Sequence, residues 1–543
     1  MLNANKKMSG KTIAVLISAV VILALLIIAT VLGNVQESAW ALLPPVIAIG
    51  LALITKEVYS SLFIGILSGA ILATGFNPIE SFDVTITTGL IDAVSGTAGI
   101  FIFLIELGVI VALVNKAGGA KAFGDWAQKH VKTKVGATIC TAILGVLIFI
   151  DDYFNCLTVG SVMRPLTDKH KISRSKLAFL IDATAAPICM IAPISSWAAA
   201  VSEYAPEGQG LNLFVSAIPF NFYSILTIVF VFAIALMKFD FGPMRKHEQN
   251  AMNGDLFSGK QINDTTYIES SKGRVFDLLS PIIFLIIVSV FALIYVGGFF
   301  GANVYVDNNK YLYDFIGAFG NTDATVALPW AGLISLIVTI IYLALRRTVS
   351  LSEAMKSIPE GFKAMLPAIL ILTFATALKN VTGILGADVF VAGVVENASW
   401  LHNFLPAIVF IIACFLAFAT GTSWGTFGIL IPIVSAMFPI SSAIGTVCMS
   451  ACLAGAVCGD HCSPISDTTI MSSAGAECEH LNHVSTQIPY AVYIAAVSFI
   501  CFVIAGFVPN AFIMLPLSIV IMLGSLFVTK HFANKYYAKK ENK

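Results

Sequence analysis

Two stretches of this sequence gather oxygen-bearing side chains inside apolar surroundings. Gly459-Asp460-His461-Cys462-Ser463-Pro464-Ile465-Ser466-Asp467-Thr468-Thr469 offers two carboxylates, an imidazole and four hydroxyls. Asp151-Asp152-Tyr153-Phe154-Asn155-Cys156-Leu157-Thr158 closes the apolar run from Ile143 to Ile150. On a helix starting there, Asp151, Asn155 and Thr158 fall on one face at i, i+4 and i+7. Oxygen donors of this kind select a hard cation such as Na⁺. An ionised side chain deep in a bilayer is costly, so embedded acids are functional candidates by default. Pro464 removes a backbone donor and frees carbonyls of the preceding turn, as in unwound membrane helices that expose ligands to Na⁺. The primary ion-binding and coupling candidates are therefore Asp151, Asp152, Asn155, Thr158, Asp460, Ser463, Ser466, Asp467 and Thr468. The plainer alternatives are an acidic pair capping a helix and a satisfied polar knot between helices.

Secondary candidates surround these. Asp182-Ala183-Thr184-Ala185-Ala186-Pro187 leads into Ala192-Pro193-Ile194-Ser195-Ser196, contributing Asp182, Ser195 and Ser196. Thr422, Ser423 and Thr426 are hydroxyls flanked by Gly421 and Gly425, suited either to close backbone approach or to helix packing. Glu106 is a lone acid within Phe101 to Val114, a proton site or a partner for Lys379. His461 lies between Cys458 and Cys462, but no second ligand pair completes a zinc motif, so Na⁺ is the metal expected and no transition metal or cofactor.

The elements that position these residues must be membrane helices. The chain has 543 residues, 58% hydrophobic and 11% charged, with mean hydropathy +0.89. A soluble domain carries about 25% charged residues. A polytopic, all-α membrane protein is the fold class this demands. Ala192-Pro193-Ile194-Ser195-Ser196 and Ser463-Pro464-Ile465-Ser466-Asp467 lie 271 positions apart, about half the chain, and Tyr153 pairs with Trp424 at the same offset. Such spacing reads as an internal duplication with broken or re-entrant helices in corresponding places, meeting near the bilayer midplane.

Charge gives the orientation. Lys116, Lys121, Lys129, Lys132 and Lys134 fill one first-half connection, and Arg164, Lys169, Lys171, Arg174 and Lys176 another. Their counterparts at 381–403 and 435–447 contain no Lys or Arg, whereas the lysine-free loop at 76–97 faces Arg346, Arg347, Lys356 and Lys363. Under the positive-inside rule corresponding loops lie on opposite sides, so the repeats are inverted. The organisation expected is an N-terminal helix (1–37), a first inverted repeat (38–237), a cytoplasmic linker (238–275), a second inverted repeat (276–508), and a C-terminal helix with a basic tail (509–543). Both termini are then cytoplasmic. The ten cysteines, scattered mostly through apolar segments, suit packing rather than disulfides.

At Asp151-Asp152-Tyr153-Phe154-Asn155, Ile181-Asp182-Ala183-Thr184-Ala185-Ala186-Pro187, Gly421-Thr422-Ser423-Trp424-Gly425-Thr426 and Gly459 to Thr469 the chain resembles the NhaC family of Na⁺/H⁺ antiporters, over about residues 40–510. The resemblance implies a secondary transporter of the ion-transporter superfamily in a bacterial inner membrane, not an enzyme. Na⁺/H⁺ antiport by competition at intramembrane carboxylates is the function expected, with lipid, Na⁺ and H⁺ as partners and no nucleic acid. The alternative is Na⁺- or H⁺-coupled movement of a small amino acid or carboxylate, with helix N-termini near Pro193 and Pro464 holding the substrate's carboxylate. A homodimer is compatible with these features but not specified by them.

Overall fold

The computed structural model describes residues 21–541 apart from 32, 34, 56, 150, 203–209, 259–271, 388, 391–401, 439–441 and 465. Among the described residues every regular element is helical. Six helices are long and apolar enough to cross a bilayer, or up to eight if each of two bent pairs is one span. Most of the expected N-terminal helix lies outside the described residues.

Nine helices position the site: α1 (Lys134–Leu147), α2 (Asp152–Lys169), α3 (Arg174–Ala183), α4 (Ser196–Ser202), α5 (Phe222–Met237), α6 (Ser423–Met437), α7 (Ala443–Cys462), α8 (Asp467–Ala476) and α9 (His480–Phe507). All of α3 and nearly all of α7 are buried, so these two form the centre of the molecule. Val275–Val296 and Ala324–Leu345 instead expose Ile283, Ile287, Phe291, Ile334 and Ile341, as helices facing lipid do.

Both expected breaks are present. Between α7 and α8 the chain leaves the helix at Ser463, whose backbone is extended (φ −85°, ψ 127°), the conformation a following proline favours. It re-enters with Ser466 as N-cap, the hydroxyl accepting from Thr469 N at 3.2 Å. In the first half Ser195 does the same for α4, accepting from Ala198 N at 3.1 Å. The starts of α2 and α6, and of α4 and α8, repeat the 271-residue offset. The halves also differ: α7 is continuous, whereas its counterpart is interrupted after α3, where Ala185 has φ −91° and ψ −93° ahead of a one-turn helix, Ala186–Cys189.

Several stretches read as loops are helical: the connection at 116–134 holds Gly119–His130, and Arg164, Lys169, Arg174 and Lys176 lie within α2 and α3. Residues 76–97 contain Pro78–Val84, a π-helical segment Thr85–Ile91, and the start of Asp92–Ala117. Lys356 and Lys363 lie within Leu351–Ile384, which a Ser350/Glu353 capping box starts well before its apolar part. The polar linker contributes a helix, Gly242–Met252. Glu248 fixes it to the start of α3, accepting from Ser173 N at 2.8 Å and Ser173 Oγ at 2.7 Å while pairing with Lys134 at 2.7 Å.

Candidate functional site

The two acidic clusters meet. Asp151 and Asp152 stand at the N-terminus of α2, Asp460 in the last turn of α7, and all three are at most 2% exposed. Asp152 lies within electrostatic reach of both Asp151 and Asp460. Ser196, the first residue of α4, donates to Asp151 Oδ2 at 3.4 Å. Thr468, in the first turn of α8, donates to Asp460 Oδ2 at 3.1 Å and shares a 3.2 Å bond with Ser466. Among the described residues, one oxygen of Asp460 and the Asn155 side-chain oxygen are buried without a hydrogen-bond partner, and the buried oxygens of Asp152 make no full hydrogen bond, with the Trp197 indole N–H the donor within reach. Three carboxylates and a free amide oxygen thus converge where two broken helices begin. Such a group needs protons or a cation to be stable out of water.

At 1.5 Å per residue, ten-residue α8 is about 15 Å long, too short to cross a hydrocarbon core about 30 Å thick. Its far end is held by basic residues: Arg174 donates to Ala476 O at 2.8 Å, and Arg164 and Arg174 both pair with Glu477.

Several candidates have structural duties. The Asn155 side-chain nitrogen faces Gly145 O at 2.7 Å and Ile148 O and Thr184 O at 2.9 Å, tying α2 to the ends of α1 and α3. Thr158 is buried on the same helix. Asp467 is exposed, and its carboxylate accepts from Tyr153 OH at 3.4 Å. Ser195 donates to Cys189 O at 2.7 Å. Thr422 caps α6, Thr426 bonds back to Thr422 O at 2.9 Å, and Ser423 donates to Ala456 O at 3.2 Å, so these three close helix contacts. Ser463 is buried in the break itself. Carbonyls of the preceding turn are already taken, Asp460 O by Ser463 N and His461 O by Gln487 Nε2, both at 2.9 Å. Glu106 is buried against Gly332 of Ala324–Leu345, distant in sequence from every other acid of the site. Trp197 of α4 and Trp424 of α6 pack edge to face at 5.6 Å with Phe427 beside both. They are 0% and 2% exposed, a packed aromatic seam rather than an open wall.

Asp182 proves more central than its secondary place in the sequence reading suggests. Gln487 Nε2 donates to its Oδ2 at 2.6 Å and Thr469 Oγ1 at 3.1 Å. His483 Nε2 lies 3.4 Å from Oδ2 and His461 Nε2 3.8 Å from Oδ1. His483 and Gln487 are not among the residues the sequence singles out. Their signal is an i, i+4 pair of polar side chains continuous with the apolar run of α9.

The Na⁺/H⁺ antiporter family model matches residues 198–507, more than half the chain. An uncharacterized protein of Haemophilus influenzae is 38% identical over 491 residues, 87% of this chain and 92% of that one. Two Bacillus subtilis proteins match in part: a malate-2H⁺/Na⁺-lactate antiporter, 30% identical over 30% of this chain and 35% of its own length, and the Na⁺/H⁺ antiporter NhaC, 24% identical over 38% and 50%. Among solved structures, the Alcanivorax borkumensis YdaH transporter superposes with TM-score 0.50 at 11% identity, covering 79% of this chain and 90% of that one, a likeness of fold. Polytopic helices, paired broken elements and the family match identify a secondary transporter rather than an enzyme, and the chain belongs to the Na⁺/H⁺ antiporter family.

Proposed function

We propose that the protein exchanges Na⁺ for H⁺ across the cell membrane, both ions competing for the carboxylates Asp151, Asp152 and Asp460. The observation that carries this reading is the convergence of three buried acids at the ends of α2 and α7, of which Asp152 and Asp460 keep oxygens without a full hydrogen bond. With the site empty, like charges in a low dielectric repel and draw in protons; a cation compensates the same charges, so occupancy by one ion excludes the other. Competition couples the two flows without a nucleotide. In this reading Arg164 and Arg174 lie on the cytoplasmic side, which the charge pattern supports, with α8 running from them toward the site.

The geometry favours a cation over an organic anion as the ligand of the broken helices. A helix N-terminus attracts negative charge, and α8 directs its first turn at the protein's own Asp460. Ser196 likewise serves Asp151. One observation supports a second reading, in which a small carboxylate travels with the ions: Trp424 Nε1 is buried beside the site without a partner and is a donor such a substrate would use.

The test is proton movement in everted vesicles from a strain lacking antiporters. A Na⁺-specific collapse of ΔpH with no organic substrate is expected. Silence with Na⁺, Li⁺ and K⁺, followed by a response to lactate, malate or an amino acid, would replace the first reading by the second.

A further inference from the structure

The helices that begin around the site meet in two contacts that the 271-residue offset relates. Tyr153 of α2 corresponds to Trp424 of α6, and Asp467 and Thr468 of α8 correspond to Ser196 and Trp197 of α4. The contact of α2 with α8 at Tyr153 and Asp467 therefore has its counterpart in the contact of α6 with α4 at Trp424 and Trp197. The two differ in exposure. Trp197, Trp424 and Phe427 are 0%, 2% and 1% exposed, and every residue of α4 is buried. Tyr153 is half-buried and Asp467 exposed, as are Pro464 before it and Ile470 after it. A carboxylate exposed among membrane helices faces water rather than lipid, because lipid would leave its charge uncompensated.

Tyr153 stands at the boundary between that water and the buried acids. Its hydroxyl donates to Asp467 Oδ2 at 3.4 Å, and Asp151, Asp152 and Asp460 lie within its electrostatic reach. Facing it is the tip of a hairpin built by Leu43–Thr55 and Val58–Ala73. Glu57 at the tip is exposed, and Tyr59 is half-buried within electrostatic reach of both Glu57 and Asp467. Val58 packs where α6 begins, since a Cβ on Gly425 would stand 2.8 Å from its Cγ1. Tyr153, Asp467, Glu57 and Tyr59 thus line a mouth whose two acids draw cations in. Beyond this mouth α2 and α8 close on each other: Ser472 donates to Cys156 Sγ at 3.2 Å, and a Cβ on Gly160 would stand 2.4 Å from Gly475 O. The way to the buried acids runs past the Tyr153 ring rather than between those helices.

The charge pattern gives the direction. From the mouth, α2 and α8 run to the Arg164–Glu477 pair on the basic, cytoplasmic side. The far end of Val58–Ala73 joins the lysine-free stretch 76–97 on the opposite side, so the hairpin tip points to the cytoplasm. In inverted repeats the counterpart contact at Trp197 and Trp424 guards the other face.

We propose that Tyr153, latched by Asp467, is the cytoplasmic gate of the ion path, and that the Trp197–Trp424 seam is the thicker gate closing the opposite side. The role as an ion path rests on the exchange reading given above, and the sidedness on the inverted orientation.

The experiment is labelling by a membrane-impermeant methanethiosulfonate in everted and in right-side-out vesicles, with the ten cysteines of the wild type as background. Tyr59→Cys should be labelled in everted vesicles and not in right-side-out ones. Labelling from the outside, or from neither side, would overturn the cytoplasmic mouth. Should that variant fail to reach the membrane, Glu57→Cys, at an exposed position, carries the same test. Ser196→Cys lies behind the gate. Its labelling in everted vesicles should rise about fivefold when Tyr153→Phe removes the hydroxyl and keeps the ring, as the loss of one net hydrogen bond predicts. An unchanged rate, or no labelling with either residue at 153, would remove Tyr153 as the gate. Equal labelling of Ser196→Cys from the two sides would show that the tryptophan seam is not closed. An absence of Na⁺-driven proton movement would defeat the exchange reading, while the labelling, which needs no transport, still decides the gates.

Discussion

Asn155 separates a ligand role from a structural one, and Asn155→Ala is the perturbation that does it. Its amide nitrogen faces three backbone carbonyls at 2.7, 2.9 and 2.9 Å and the residue is fully buried. Two N–H groups make at most two good bonds at once, so two carbonyl bonds are lost on truncation. A lost bond that orphans a buried carbonyl costs about 1–3 kcal/mol in all, and Gly145 O keeps a second donor in Ile148 N at 3.2 Å, so the total is on the order of 3 kcal/mol. Unfolding of a chain this size is irreversible, which makes the half-life at a fixed temperature the readout. If the bonds break before the unfolding barrier, the half-life shortens by up to about 100-fold, a tenfold change per 1.4 kcal/mol. The assay is loss of the monodisperse peak on heating the purified protein in K⁺ buffer, with and without added Na⁺. A half-life equal to wild type in K⁺, with only the Na⁺ effect lost, would show that Asn155 is a ligand and that its three carbonyls are satisfied otherwise.

Three further outcomes are expected. Asp152→Asn and Asp460→Asn should each remove Na⁺-dependent thermal protection, since protection follows RT ln(1 + [L]/Kd) and each substitution removes the negative charge and one of the two oxygens; protection equal to wild type in either would take that residue out of the cation site. Gly160→Ala should destabilise by about 1–3 kcal/mol, because the added Cβ would stand 2.4 Å from the Gly475 carbonyl where α2 meets α8; an unchanged thermal half-life would mean the helices separate freely. Glu248→Ala should release Gly242–Met252 from Ser173 and Lys134 and speed proteolysis between residues 238 and 275; cleavage at the wild-type rate would contradict that anchor.

Much of this architecture was legible because prolines, hydroxyls and charges act locally. Pro464 dictates the extended Ser463, and Ser195 and Ser466 cap helices as short polar residues after a break do. Asp151, Asp152 and Asp460 could be singled out because an acid in an apolar run is conspicuous without any partner being known. Partnerships were not legible. Thr469 and Gln487 reach Asp182 across 287 and 305 residues, and nothing at Asp182 alone announces them. The helical start of Leu351–Ile384 was missed for another reason: its opening turns are polar, so hydropathy ends before the helix does. Asn155 was correctly placed on the acidic stripe, but one side chain has two ends, and which end faces backbone is settled by packing.

The broken helices explain why acids and an exchange function belong together. An uninterrupted helix satisfies its own backbone and offers a buried acid no compensation. At a break, the first turn of α8 turns the Thr468 hydroxyl toward Asp460. A helix N-terminus acts as roughly half a positive charge, so it lowers the cost of one buried carboxylate without cancelling it. Asp152 and Asp460 keep oxygens without a full hydrogen bond, and in the exchange reading proposed above full compensation would make the site indifferent to ions. The deficit is what an exchanger requires: large enough that the empty site is avoided, small enough that either a proton or a Na⁺ ion fills it and can leave again.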